Sequence, residues 1–454
     1  MSYLENPGSV LDLIREGEVH RDLYTSKDIF NLEMQHLFRN TWGYVGHASQ
    51  IPKRGDYFTT TVADQPIVMI RHQDDSIKVL YNRCPHRGAE LVTGTHGCAG
   101  KSLRCPYHAW TFNTDGSLRR IPEKEGYQNT GFENSRAAKG MTPVAATHVY
   151  KDWVFCRLAE NGEGFHEFFG DSLSTIDNFV DRSPAGKLEV VGTPLRYINR
   201  CNWKMLAENQ TDTFHPMTVH ASSAMTAKNI WEEIKDEYEG PTPMVVEAIV
   251  PFTMPYKFYD GMGIRVWPNG HGHTGVHNSI HSDYTDADEY FNAMRDAYGQ
   301  ERAEEILGEV RHNTVYFPNL MVKGPIQKLR IFKPIAVDET LIESWIFRLI
   351  GAPDYLLERT AMYNRLINAP TSMVGHDDTE MYERAQQGLR AEYNEWLNIQ
   401  RMMLKDECTQ SEEIHSGNSE IQFRNQFQAW LKYMGTVLGS EKITAEHLAT
   451  GTNG

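Results

Sequence analysis

Two short stretches set the tightest limit on what this chain of 454 residues can become: CPHRGAEL, which starts at Cys84, and CPYHAWTF, which starts at Cys105. Each offers one cysteine and one histidine, in the pattern C-x-H, 18 residues, C-x2-H. Two Cys and two His around one tetrahedral zinc is one reading of the set. Zinc fingers, however, usually draw both cysteines from one turn and both histidines from another. A two-iron, two-sulfide cluster with thiolates on one iron and imidazoles on the other requires the division seen here, Cys84 and Cys105 on one iron and His86 and His108 on the other. Gly88, with Pro85 or Pro106, would shape tight loops whose amides face the cluster sulfurs.

The rest of the composition fits that chemistry. The six cysteines (84, 98, 105, 156, 201 and 408) are too few and too scattered for a disulfide framework, which leaves metal or redox chemistry for the close pair. A net charge of -15 without a Lys/Arg-rich run argues against nucleic acid or an anionic membrane as partner. No window approaches the roughly 18 apolar residues of a membrane span. The opening MSYLENPGSVLDLIREGEVH is acidic where a secretory signal would be basic, so a cytoplasmic location is expected.

The length allows two unequal domains. Residues 41–160 read as short β segments (TWGYVGH, DYFTTTV, QPIVMIRH, SIKVLYN, HVYKDWVFCRL) and contain both Cys-His loops. Beyond them, helical patterns such as ADEYFNAMRDAYGQERAEEILGEV and PDYLLERTAMYNRLINAP alternate with strands such as KLRIFKPI and TLIESWIFRLI. The expectation is an α+β protein with an all-β domain at 41–160 and a second domain made of 1–40 and 161–454. The polar segment ECTQSEEIHSGNSE reads as a mobile loop.

A second constellation lies in NWKMLAENQTDTFHPMTVH. Asp212 and His215, three apart, would share a helix face, so that the carboxylate holds the second ring nitrogen of the imidazole. Pro216 would end that helix near His215, and His220 would return from a different segment. Two such histidines alone are ordinary core or surface residues. With one carboxylate on the same face they form the ligand set of a non-haem iron oxygenase.

Taken together, CPHRGAEL, CPYHAWTF and NWKMLAENQTDTFHPMTVH resemble the Rieske non-haem iron oxygenases, specifically the large (α) subunits of aromatic-ring-hydroxylating dioxygenases. Ala89 and Tyr107 stand where respiratory Rieske proteins carry an extra disulfide, which points to the oxygenase branch. The gap of 18 residues is slightly long for the family and implies an insertion around GTHGCAGKS, with His96 and Cys98 as plain loop residues. The resemblance makes His215 and His220 iron ligands and takes the third from NAPTSMVGHDDTEMYERAQQG. That ligand is Asp378, with Asp377 as runner-up. An acidic first turn of an exposed helix also accounts for Asp377 and Glu380. It makes Asp212 a catalytic bridge that links His108 of one chain to His215 of its neighbour. Asn209 and Asn313 become substrate-pocket candidates. Arg311 and His312 are candidates for a substrate carboxylate, against a surface or interface ion pair for Arg311. Trp110 is expected in packing or at an interface.

The implied fold is an all-β Rieske [2Fe-2S] domain inserted near the N-terminus of a larger helix-grip catalytic domain with an antiparallel sheet. The implied activity is the cis-dihydroxylation of an aromatic ring by dioxygen at a mononuclear Fe(II). The chain shows no P-loop, no GxGxxG after a strand and no flavin segment, so a separate NAD(P)H reductase, with or without a ferredoxin, would supply the electrons. A small β subunit and an α3β3 or α3 assembly follow from the same resemblance. The alternatives are a Rieske monooxygenase (a salicylate-type ring hydroxylase or an oxidative demethylase) and, from another class, an electron carrier or a zinc-stabilised scaffold.

Overall fold

The sequence DYFTTTV is rich in β-branched residues. In the computed structural model, which describes residues 3–281, 287–408 and 414–438, it forms the strand Asp56–Val62 with Phe58 and Val62 turned inward. Gln65–Arg71 and then Ile77–Tyr81 pair beside it, all antiparallel. Ser102–Arg104, Thr111–Asn113 and Leu118–Arg120 form a second sheet, and Gly43–His47, Trp153–Arg157 and Ala146–Tyr150 a third. Tyr150 pairs with Trp153 across Lys151 and Asp152, both left-handed (φ 46° and 69°), the two-residue turn that matches strand twist.

The stretch GTHGCAGKS is not the plain loop expected. Its residues His96–Cys98 pair with Asp56–Phe58 and cap that sheet edge, whose backbone groups need partners. His96 and Cys98 are exposed there, away from the buried Cys84 and Cys105. All of these strands belong to one compact unit, residues 38–165. Its core joins Val68, Ile70, Leu103 and Phe112 to Cys84, Cys105 and Trp110, so both loop cysteines are core residues.

The other unit comprises 1–37 and 166–454. Its antiparallel sheet, nine-stranded over the described residues, centres on a long hairpin, Lys328–Ala336 with Glu339–Leu349. From Lys328–Ala336 the sheet continues through Leu320–Lys323, Asn313–Tyr316, Gly272–Thr274, Ile264–Val266 and Ile414–His415. Helix Asp354–Asn368 packs on Glu339–Leu349, where Ser344 donates to Asn364 at 2.6 Å. The C-terminal helix Ile421–Leu438 is pinned by Gln422 to the Gly270 backbone oxygen (2.8 Å) and by Lys432 to Asn269 (2.7 Å).

The segment expected as a mobile loop proves largely structured over its described part. Residues 409–413 lie outside the described residues, but Ile414–His415 is the edge strand, and Arg401 Nε donates to the Asn418 backbone oxygen at 2.7 Å. Among the described residues no helix is long and apolar enough to cross a membrane.

Candidate metal centres

The two Cys-His loops share one backbone design. In each, the cysteine amide donates to the carbonyl five residues on (Cys84 to Ala89 and Cys105 to Trp110, both 2.8 Å), and the amide four residues on donates back to the cysteine carbonyl (Gly88, 2.9 Å; Ala109, 3.1 Å). Closing so small a ring takes a left-handed residue at the fourth position, Gly88 (φ 78°) in one loop and Ala109 (φ 58°) in the other. The loops thereby bring like groups together. The Cys84 thiol meets that of Cys105 and the amides of His86 and Arg87. Burial, then Cys105, raises its pKa against those amides. The rings of His86 and His108 lie 4.6 Å apart at 74°. His86 stacks on the buried Trp110 (4.8 Å, 5°), and its buried Nδ1 has no hydrogen-bond partner among the described residues. Trp110 is therefore packing that orients a histidine. The cysteines are buried while His86 is half-buried and His108 exposed, so the sulfur side faces the core and the imidazole side faces outward. Two buried thiols, two converging imidazoles and an orphaned ring nitrogen fit a Rieske cluster.

The second group is assembled from distant segments. Helix Trp203–Asn209 starts at Asn202, whose side chain accepts from the Lys204 amide and donates to the Tyr24 and Val337 backbone oxygens. The helix is fixed by a feature that the sequence reading missed. Glu33, fully buried, accepts from Lys204 Nζ (2.6 Å), Trp203 Nε1 (2.9 Å) and Trp430 Nε1 (2.8 Å), tying the N-terminal segment, this helix and the C-terminal helix together. The helix stops at Asn209, so Asp212 and His215 lie in the following turn and not on a helix face. Pro216 likewise begins the next helix, Pro216–Val219, and does not end the previous one, since a first helical position needs no amide donor. His220 follows at that helix's C-terminal end.

His215, His220 and Asp378 each present one ligand atom, and the three atoms lie within 4.8 Å of one another. Asp378 Oδ1 is 3.6 Å from His215 Nε2 and 3.4 Å from His220 Nε2. Behind the rings, Asp212 Oδ2 is 3.3 Å from His215 Nδ1, and Asp377 Oδ2 is 3.4 Å from His220 Nδ1. Helix Met373–Gly388 is capped by Ser372, which places Asp377 beyond its first turn. Asp377 is half-buried against His220 and Ser223, not part of an exposed acidic first turn, whereas Glu380 is exposed and pairs with Arg384. Burial disfavours the Asp378 carboxylate, but His220, His215 and Arg330 outweigh it and hold its pKa below the usual carboxylate range. Burial likewise disfavours a charged His215, and Asp212 and Asp378 reverse the balance. Two imidazole nitrogens and one carboxylate oxygen on one face, each imidazole backed by a second carboxylate, fit a non-haem Fe(II) centre.

This trio opens into a cavity of about 620 Å³, open mouth included. Asn209 and Asn313 both line it. Asn209 Nδ2 is 3.2 Å from His215 Nε2 and 3.5 Å from Asp378 Oδ1, while Asn313 donates to the Gln210 backbone oxygen (2.8 Å). His312 lines the cavity as well, but Arg311 does not. Its guanidinium pairs with Glu309 (2.5 Å) and donates to Ser174 (2.9 Å) and Thr175 (2.7 Å). The cations in the cavity wall are instead Lys323, Lys328 and Arg330. Lys328 and Arg330, at alternate positions of the apolar run KLRIFKPI, were the available signal for two of them, and Lys323 lies outside that run.

Residues 41–131 match the Rieske [2Fe-2S] domain, and residues 187–435 match the ring hydroxylating alpha subunit (catalytic domain). The chain is 30% identical to toluate 1,2-dioxygenase subunit alpha of Pseudomonas putida over 377 residues, which cover 81% of this chain and 78% of the relative. It is 26% identical to a benzene 1,2-dioxygenase subunit alpha of Pseudomonas putida over 438 residues, 92% and 91% of the two chains. In fold it is similar to naphthalene 1,2-dioxygenase from Rhodococcus sp. bound to indole, with a TM-score of 0.73 at 21% identity over 95% of this chain and 97% of the other. The two domain matches imply a Rieske cluster and a mononuclear iron, the groups that the two side-chain clusters fit. The chain belongs to the ring-hydroxylating alpha-subunit family and carries a Rieske [2Fe-2S] domain ahead of the family's catalytic domain.

Proposed function

We propose that this chain is the α subunit of a terminal oxygenase that cis-dihydroxylates an aromatic ring, with dioxygen and NAD(P)H-derived electrons as co-reactants. The observation that carries the reading is the convergence of His215, His220 and Asp378 in the wall of a cavity, in a chain that also carries paired Cys-His loops. Residues 41–160 are the electron-storing domain, and 1–40 with 161–454 the catalytic one. The cluster and the iron, when bound, supply one-electron transfer and dioxygen activation.

The side chains do the rest. Cys84 and Cys105 bind as thiolates on the core side, and His86 and His108 bind on the outward side. His215, His220 and Asp378 are the iron ligands. Asp212 and Asp377 keep the Nδ1 proton on each ring, which leaves each Nε2 free to ligate. Asn209 presents its amide at the same face. Asp212 also joins His215 to His108 of a neighbouring chain, so the working unit spans two copies in an α3 or α3β3 ring with a small β subunit. A cytoplasmic NAD(P)H reductase, with or without a ferredoxin, completes the system.

The test is product analysis in heavy dioxygen with the purified oxygenase and its electron-transfer partners. A cis-dihydrodiol with two labelled oxygens is expected. One labelled oxygen identifies the monooxygenase, and a protein with zinc or without mononuclear iron identifies the scaffold or the carrier.

A further inference from the structure

The cavity wall carries two lysines whose charge no carboxylate among the described residues answers. Lys323 ends strand Leu320–Lys323, Lys328 begins strand Lys328–Ala336, and the two stand directly opposite each other in the antiparallel ladder. Like charges in that register repel. Both side chains are buried, and both line the cavity that holds His215, His220 and Asp378. Neither ammonium has a carboxylate partner among the described residues. Lys323 Nζ donates to the His312 backbone oxygen (3.0 Å) and lies 3.0 Å from His312 Nδ1 and 3.4 Å from Asn313 Oδ1. Lys328 Nζ donates to Asn368 Oδ1.

The other buried lysines of this unit are paired, Lys204 with Glu33 (2.6 Å) and Lys333 with Glu343 (3.0 Å). Arg330, on the same wall, has the Asp378 charge beside it and hydrogen bonds to Gln210 and Tyr197. The two exceptions therefore both occur where a ligand would sit. The Tyr363 ring, 5.8 Å and 5.3 Å from the two ammonium groups, offers only the modest relief of a cation–π contact. Burial without a counter-charge is costly, and it holds both lysines well below the ordinary lysine range. Elsewhere the wall is mixed, with Phe252, Met262, Ile280 and Ile367 apolar and Gln210, Thr213, Asn313 and Asn368 polar.

We propose that Lys323 and Lys328 form an anion receptor inside the substrate cavity and that the substrates are aromatic acids, gripped by the carboxylate between the two ammonium groups. The aromatic half of this inference rests on the oxygenase reading above; the anionic half does not. A carboxylate has enough lone pairs to accept from both lysines, and a two-point grip limits how the ring can turn toward the iron ligands.

The test is calorimetric titration of the metal-loaded oxygenase with benzoate, its neutral isostere benzamide, and toluene. Benzoate should bind at least about tenfold more tightly than benzamide. Lys323→Met and Lys328→Met should each weaken benzoate by about 10- to 100-fold, the range of a charge-assisted hydrogen bond, and drive the benzoate-to-benzamide ratio toward one. Iron and cluster content checks that each variant is loaded. If a variant fails to fold, the wild-type ratio alone decides, and a ratio of one or below overturns the receptor. Turnover separates the two claims. Dihydroxylation of toluene without benzoate binding overturns the anion receptor and leaves the oxygenase reading intact. Lysine-dependent benzoate binding in a protein that oxygenates no arene overturns the oxygenase reading and upholds the receptor.

Discussion

Exchanging the two neighbouring aspartates separately tests the iron site most sharply. Asp378 Oδ1 approaches both Nε2 atoms, at 3.6 Å and 3.4 Å, and so occupies a ligand position. Asp377 Oδ2 stands 3.4 Å from the far nitrogen of His220, one imidazole ring removed. Residues in that outer position typically contribute 10- to 100-fold to metal affinity, or about 1.4–2.7 kcal/mol. Asp377→Asn keeps an acceptor for the Nδ1 proton and loses only the charge, so a loss of about tenfold is expected. Asp377→Ala loses both, and its loss should approach about 100-fold. Asp378→Asn removes the anionic ligand, and the loss should exceed that range, roughly 1000-fold or more. Competition with a graded series of iron chelators measures all three, with the absorbance of the Rieske cluster as internal standard. Iron retained in Asp378→Asn and absent from Asp377→Asn would falsify the geometry, because it requires the helix to present its other face.

Four further outcomes follow from the same contacts. Cys84→Ser should abolish the visible absorption and the reduced-state paramagnetic resonance of the cluster while mononuclear iron is retained; an unchanged spectrum refutes the ligand assignment. Lys204→Met leaves Glu33 buried beside two indole donors without its cation and should cost about 3–5 kcal/mol. For a unit of roughly 330 residues that is a melting shift of about 4–7 °C, and a shift under about 1 °C contradicts the clamp. Burial raises the Glu208 pKa from 4.5 to about 7, against the pull of Tyr24 and Lys204. Its folded value lies above its unfolded one, so its stabilisation is complete below about pH 4.5 and is lost as pH rises through 7. The swing is roughly 3 kcal/mol, and Glu208→Gln should flatten the melting profile between pH 5 and 8. Co-expression of Cys84→Ser chains with His215→Ala chains should leave one site active in each mixed trimer, or roughly a quarter of the wild-type sites over the randomly mixed population, and background turnover in the mixed trimers rules out transfer between chains.

Much of the chemistry was legible because its information is local. A loop of six residues with Cys first and a left-handed fourth follower closes much the same way wherever it sits, so Cys84, His86, Cys105 and His108 could be named from spacing. His215 and His220 lie in one short segment, and Asp378 came from the resemblance. Less legible was the path between them. Asp212 and His215 were expected on a helix that in fact ends at Asn209, because Pro216 is as well suited to open a helix as to close one. The GTHGCAGKS stretch gave no strand signal, and it became one only because the Asp56–Phe58 edge lay open beside it.

The sequence by itself determined which residues can ligate metals and that the chain is an α+β protein with its short strands early and its long helices late. Tertiary structure alone decided where the unanswered charges fall. Arg311, the cation singled out from the sequence, turns to Glu309, whereas Lys323 and Lys328, neither singled out from the sequence, meet across the ladder inside the iron cavity. Glu33 likewise looks like one acid in a surface helix until Lys204, Trp203 and Trp430 close around it from far along the chain. Ligand loops depend on bond geometry over a few residues. The sign of a buried charge's environment depends on which distant segments pack against it, and no local pattern carries that.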